Sequence, residues 1–170
     1  TEEYLIEPFI SGVEATCGLT GRPFRVRASC VVNAAGPWID AVRRMEEPDA
    51  PAQLHLSKGV HVVLPASRLP LRNILVMSTG DGRSIFAIRQ RDVVFIGTTD
   101  TTYKHGPQVW PDISIDDVEY LLEPLPRYLS IEPLTRSDVI AAWSGLRPLV
   151  AQPGKKPADI SRSDEVLVSR

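Results

Sequence analysis

The stretch Ser144-Gly145-Leu146-Arg147-Pro148-Leu149 holds one cation in an otherwise uncharged run. An arginine in such a setting is costly unless an anion meets it. Its planar fork suits a phosphate or a carboxylate. The apolar run Val139-Ile140-Ala141-Ala142-Trp143 before it reads as a buried strand. Gly145 reads as a turn or a point of close approach, and Pro148 fixes the chain again. The expectation is a pocket built around Arg147, with Arg162 brought back near it by the loop after Pro148.

Other residues could take part. Ser57-Lys58-Gly59-Val60-His61-Val62-Val63-Leu64-Pro65 is a strand with Lys58 and His61 three positions apart. A flat strand puts them on opposite faces, and a bulge at Gly59 would change that. By itself His61 reads as a hydrogen-bonded core or rim histidine. Asn33-Ala34-Ala35-Gly36-Pro37-Trp38 joins a short buried strand, Cys30 to Asn33, to a helix from Trp38 to about Met45. Small residues there admit a flat or phosphorylated group at a helix N-terminus, although a plain strand-to-helix turn is the default. Gly97-Thr98-Thr99-Asp100-Thr101-Thr102-Tyr103 is either a hydroxyl-rich turn or a loop with ligand contacts. Lys58 and Thr98 stay open, and Asp100 reads as a turn residue rather than a base.

The elements that must position these groups are mostly strands. A hairpin is expected from Val13–Ala15 and Phe24–Ala28, with Arg25 and Arg27 on a solvated face. Segments 73–77, 84–88 and 93–96 have short connections, which implies an antiparallel meander. Ser114 starts a helix whose Val118, Leu121, Leu122 and Leu125 share one face. The fold class is therefore α+β, a mixed and largely antiparallel sheet with helices packed on one face. Residues 1–50, with the hairpin and the Asn-Ala-Ala-Gly-Pro-Trp turn, read as one segment and 51–170 as a second.

The chain has 170 residues, 43% apolar and 24% charged, with net charge -2. That is ordinary for a globular protein and gives no global reason to expect nucleic acid. Cys17 and Cys30, with no neighbouring His, do not resemble a zinc site. They read as a loop thiol and a buried strand thiol. No apolar run reaches the roughly 18 residues of a membrane span. No leader is read at the acidic start, Thr1-Glu2-Glu3. The chain has no initiator Met and strand-like ends (Tyr4–Ile6 and Glu165–Val168), so a piece of a longer protein is expected.

Taken in order, Val31-Val32-Asn33-Ala34-Ala35-Gly36-Pro37-Trp38, Lys58-Gly59-Val60-His61, Gly97-Thr98-Thr99-Asp100, Ser144-Gly145-Leu146-Arg147-Pro148-Leu149 and Ile160-Ser161-Arg162 resemble the FAD-dependent glycerol-3-phosphate dehydrogenases of the amino-acid-oxidase-like superfamily. The resemblance implies that Arg147 and Arg162 bind the substrate phosphate and that His61 is a catalytic residue beside the flavin. It implies that Ala34, Ala35, Gly36 and Trp38 lie near FAD, that residues 1–50 are a partial segment adjacent to the FAD domain, and that 51–170 are a substrate-binding (cap) domain. It also implies glycerol 3-phosphate as substrate, a quinone as electron acceptor of the parent, and peripheral attachment at the cytoplasmic side of a bacterial membrane or in a mitochondrion. A homodimer is left open. No Gly-x-Gly-x-x-Gly turn for the pyrophosphate is present, so the chain alone is expected neither to hold FAD tightly nor to turn over. The alternatives are an amine or amino-acid oxidase of the same superfamily, for which one arginine would suffice, and a non-catalytic binding module.

Overall fold

A computed structural model describes residues 10–152, 154–155, 159–163 and 165–168. Two compact units meet in sequence between Ala35 and Gly36. In the first, strands β1 (Gly12–Thr16) and β2 (Pro23–Arg27) form the expected antiparallel hairpin. Its turn closes through the Gly21 N–H to the Cys17 carbonyl at 2.8 Å, with Gly21 at φ 68°. The left-handed backbone there suits glycine. Arg25 stands on the wet face as expected and pairs with Glu14 across the register.

The strand expected at Cys30 to Asn33 does not form, and Cys30 is exposed rather than buried. Val32 is 82% exposed. An apolar run becomes a strand only when a neighbouring strand completes its ladder, and the described ladders join β1 to β2 and the six strands of the second unit to one another.

The second unit opens with a 3₁₀ turn, Gly36–Trp38, and helix α1 (Ile39–Glu46), close to the expected helix. The Asp40 carboxylate accepts the N–H groups of Gln53 at 3.0 Å and Leu54 at 3.1 Å. It thereby pins α1 to the entry of β3 (Leu54–Pro65). Strand β3 organises a sheet of six, with β4 (Leu75–Ser78), β5 (Ser84–Gln90), β6 (Val93–Gly97), β7 (Thr101–Thr102) and β8 (Ala141–Val150). The order is β4-β5-β6-β3-β7, with β8 on β3. Every strand pair is antiparallel, and β4, β5 and β6 are the expected meander.

Period-2 alternation decides which sheet face is covered. Val60, Val62, Leu64, Met77, Ile85, Ala87, Val94 and Ile96 pack against Leu121, Leu122 and Leu125. These leucines come from α2 (Ile115–Leu122) and α3 (Leu125–Tyr128). Helix α2 starts at a capping box, with Ser114 and Asp117 each bonding the other's backbone. The expected helical face is the one buried.

Strand β8 corrects the expectation of a buried strand followed by a turn. The strand runs straight through Ser144-Gly145-Leu146-Arg147-Pro148-Leu149. Ala141 and Ala142 are exposed, and Trp143 is 40% exposed. Twelve-residue β3 offers an edge long enough to pair Ala141 through Val150 without interruption. Edge strands tolerate proline, since one side of their ladder is unpaired. The same unbroken register shows that Gly59 makes no bulge. The C-terminal run Glu165–Val168 is not a strand, and Val166 is 93% exposed. The Tyr4–Ile6 run lies outside the described residues. Among those residues, no helix is long and apolar enough to cross a membrane.

Candidate functional site

Cross-strand partners in an antiparallel sheet share a face, so register alone assembles the site. Ser57 is opposite Arg147, Gly59 opposite Gly145 and His61 opposite Trp143. On the other edge of β3, His61 is opposite Gly97. All of these occupy the sheet face that carries no helix. Lys58 occupies the other face, as alternation requires. Its ammonium meets the Asp117 carboxylate at 2.5 Å and the Asp112 carbonyl at 3.0 Å. Lys58 thus holds the sheet to α2 and stands apart from the site.

The Arg147 guanidinium lies over Gly59, where a Cβ would overlap its Cζ and both terminal nitrogens. Its Nη2 donates to Thr98 Oγ1 at 3.0 Å and its Nη1 to the Thr99 carbonyl at 3.3 Å. Nη1 is 3.7 Å from Asp100 Oδ1, and 27% of the side chain remains exposed. Burial lowers the Arg147 pKa, Asp100 opposes the shift, and the nearby charge of Arg162 adds to it. Both guanidiniums therefore act in one electrostatic neighbourhood. Arg162 donates from Nη2 to Asp100 Oδ2 at 3.2 Å and is 61% exposed.

His61 stacks on the Trp143 ring, with centroids 4.9 Å apart and planes 7° from parallel. Phe95 meets Trp143 edge-on at 5.4 Å. Gly97 gives the imidazole its space, because a Cβ there would overlap the ring. Burial, and then the charge of Arg147, push the His61 pKa below its ordinary value. The ring is consequently neutral near pH 7, the form that can take a proton.

Arg147 and Arg162, singled out in the sequence, meet at Asp100, and His61 stands on the same sheet face, near enough for the charge of Arg147 to act on it. Asp100 was read as a turn residue, but its carboxylate sits between both arginines. The Ser57 hydroxyl also donates to Asp100 Oδ1. Ser57 and Trp143 are further contributors, and their signal lies in the alternation of β3 combined with the length of β8. Arg83, which donates to the Asp100 carbonyl from just before β5, has no such signal.

Of the small-residue segment, Asn33 Oδ1 accepts the Ala35 N–H at 3.3 Å, and Ala34 is exposed. Gly36 takes φ 56° with nothing near the position of a Cβ. The Gly36–Trp38 turn runs beside β8. A cleft of about 570 Å³ opens between Asp100, Arg83, the 101–105 loop and the start of α2. It touches the back of the site but not His61 or Arg147. Those two side chains stand on the sheet face that carries no helix. Among the described residues no cluster of His, Cys, Asp and Glu could hold a metal ion.

The profile of the family described as FAD dependent oxidoreductase matches residues 6–166. The chain is 39% identical to an aerobic glycerol-3-phosphate dehydrogenase of Staphylococcus haemolyticus, over 92% of this chain and 28% of that protein. It is 42% identical to the mitochondrial glycerol-3-phosphate dehydrogenase of Macaca fascicularis, over 94% of this chain and 22% of that one. The crystal structure of glycerol-3-phosphate dehydrogenase from Bacillus halodurans complexed with FAD superposes with a TM-score of 0.74 at 40% identity. That match covers 85% of this chain and 29% of the other. The chain thus spans less than a third of the length of these relatives. Since the family profile covers nearly all of it, the chain belongs to the FAD dependent oxidoreductase family.

Proposed function

We propose that this chain is the substrate-binding segment of an FAD-dependent glycerol-3-phosphate dehydrogenase. The intact protein would oxidise sn-glycerol 3-phosphate to dihydroxyacetone phosphate, and the chain alone would be inactive. The observation that carries this reading is the convergence of two guanidiniums and a neutral imidazole on one open sheet face. Two cations in one place suit a phosphate dianion better than a carboxylate, which a single arginine can hold in a fork. An amine or amino-acid oxidase is therefore the less favoured reading.

Arg147 and Arg162 would bind the phosphate and fix the glycerol backbone, so that the reacting carbon is held rather than found by diffusion. His61 would take the hydroxyl proton as the carbon gives up its hydride. Its stack on Trp143 and its depressed pKa both favour that role. FAD, when bound, supplies the hydride acceptor. The residues here that fit contact with it are Ala34, Ala35, Gly36 and Trp38, with Gly36 offering an approach free of side chain. The same reading includes a quinone as electron acceptor, at the cytoplasmic side of a bacterial membrane or in a mitochondrion.

The test is steady-state dye reduction by the intact protein with glycerol 3-phosphate. Arg147→Ala should raise KM by about 10- to 100-fold, the size of a lost charge-assisted contact. An unchanged KM, or weaker binding of phosphate esters than of amino acids, would overturn the reading. Dye reduction by the isolated chain with added FAD would refute its inactivity.

A further inference from the structure

Asp100 makes more contacts than a turn residue needs. Its side chain is only 10% exposed. A buried carboxylate is tolerated when its oxygens are satisfied, and here each oxygen has a separate task. Oδ1 accepts the Ser57 hydroxyl and stands 3.7 Å from Arg147 Nη1. Oδ2 accepts Arg162 Nη2 at 3.2 Å. The backbone is held from behind, because Arg83 Nη1 donates to the Asp100 carbonyl at 2.5 Å. Arg83 is itself fixed by Asp81, Nε to Oδ2 at 2.7 Å, and by the Tyr120 ring 5.3 Å away. Tyr120 belongs to α2, so the Asp100 backbone is anchored to the covered side of the sheet.

We infer that Asp100 is a positioning residue that holds Arg162 beside Arg147, so that both guanidiniums present to one phosphate. This rests on the reading of those arginines as substrate ligands. The two cations depend on Asp100 unequally. Arg147 has its seat over Gly59 and two further acceptors, Thr98 Oγ1 and the Thr99 carbonyl. Arg162 lies outside the strands and helices and is mostly exposed. Among the described contacts, Asp100 is its acceptor. A long, exposed arginine without an acceptor samples many rotamers, and ordering it on binding costs affinity.

The sign of the effect separates positioning from simple charge. Two arginines and one aspartate leave a local charge of +1, and neutralising Asp100 makes it +2. Charge alone would then tighten phosphate binding. Loss of alignment would weaken it.

The experiment uses the FAD-loaded intact protein carrying Asp100→Asn, Arg162→Ala, both together, and Asp100→Glu. KM and kcat for glycerol 3-phosphate are read together with the calorimetric Kd for inorganic phosphate. D100N should raise KM and Kd about tenfold, one charge-assisted hydrogen bond, while kcat stays within about threefold. The double variant should be no worse than R162A, because residues acting through one contact are not additive. D100E, which keeps the charge, should fall between the natural protein and D100N. Should D100N fail to fold, the cycle of D100E with R162A reads the same coupling. A KM that is unchanged or lower in D100N, or effects of D100N and R162A that multiply, would overturn the inference while R147A and R162A still raise KM. If R147A and R162A also leave KM unchanged, the substrate reading falls and this inference with it.

Discussion

Gly59→Ala should damage substrate binding while leaving the fold intact. In β3, a Cβ at Gly59 would overlap the Arg147 guanidinium, lying 2.5 Å from Nη1 and 2.7 Å from Cζ. These atoms are the far end of a flexible side chain, so the guanidinium moves and the backbone does not. On moving, Arg147 gives up its 3.0 Å bond to Thr98 Oγ1 and its 3.3 Å bond to the Thr99 carbonyl. Each is worth about 1 kcal/mol net, and water replaces part of it. Against this, alanine in a strand gains roughly 0.5–1 kcal/mol over glycine in backbone entropy. The folded state should therefore change by no more than about 1 kcal/mol, or a few degrees in Tm. Binding has no such compensation. A displaced guanidinium forfeits a charge-assisted contact of about 1.5–3 kcal/mol, which is roughly 10- to 150-fold in KM. The assay is KM for glycerol 3-phosphate in the intact protein, with Tm measured on the same preparation. Gly145→Ala is the control, because it lies opposite Gly59 and its Cβ would meet nothing within 4 Å in this chain. An unchanged KM with G59A, or a large fall in Tm with KM unaffected, would refute the seat of Arg147 over Gly59.

Further outcomes concern His61 on the open face and the Lys58–Asp117 pair on the covered one. His61 should give kcat/KM an acid limb with an apparent pKa below 6.5, and Arg147→Ala should move that limb upward by removing one of its two causes, as a pH–rate profile would read. Because folded His61 binds its proton less readily than the unfolded chain, its contribution makes stability rise with pH through the window just below 6.5. Lys58→Met should destabilise the chain by about 3 kcal/mol in denaturant melts, since it strands the charge of Asp117, whose side chain is 6% exposed. Burial raises the Asp117 pKa, but Lys58 and the Ser114 cap outweigh it, so its net pKa is low and its stabilisation is lost as pH falls below 3.8.

The residues that carry chemistry were more legible in the sequence than the backbone that presents them. Arg147 stands out because an uncharged run leaves it without a partner, and the meander stands out because short connections permit little else. The parity of β3 also put Lys58 and His61 on opposite faces, where they are found. Glycine and proline misled, since both usually punctuate. In β8 they serve a strand instead. Gly145 sits opposite Gly59, and Pro148 is accepted at a sheet edge. Burial of the Val139–Trp143 run was misjudged for a related reason. Apolar sequence says that a face wants cover, while the sheet presents Trp143 on the side without helices.

Asp100 shows where local reading stops. Its neighbours Thr98, Thr99, Thr101 and Thr102 carry hydroxyls that suit a turn, although Thr101–Thr102 form strand β7. Its role comes from Ser57, 43 positions earlier, and from Arg162, 62 positions later. Both are brought to it by the register of β3 and by the return of the chain after β8. Neither distance leaves a trace in a window of ten residues. What is available is a chain of inference by parity. If Gly97 ends a strand paired to His61, the next residues must cross the His61 face or leave the sheet. A carboxylate at that crossing, beside an arginine on the same face, has to pair or pay for burial. The site is thus legible once register is known. Register in turn follows from which face of β3 is apolar, because a one-residue slip would carry His61 to the helices and Lys58 to the open face.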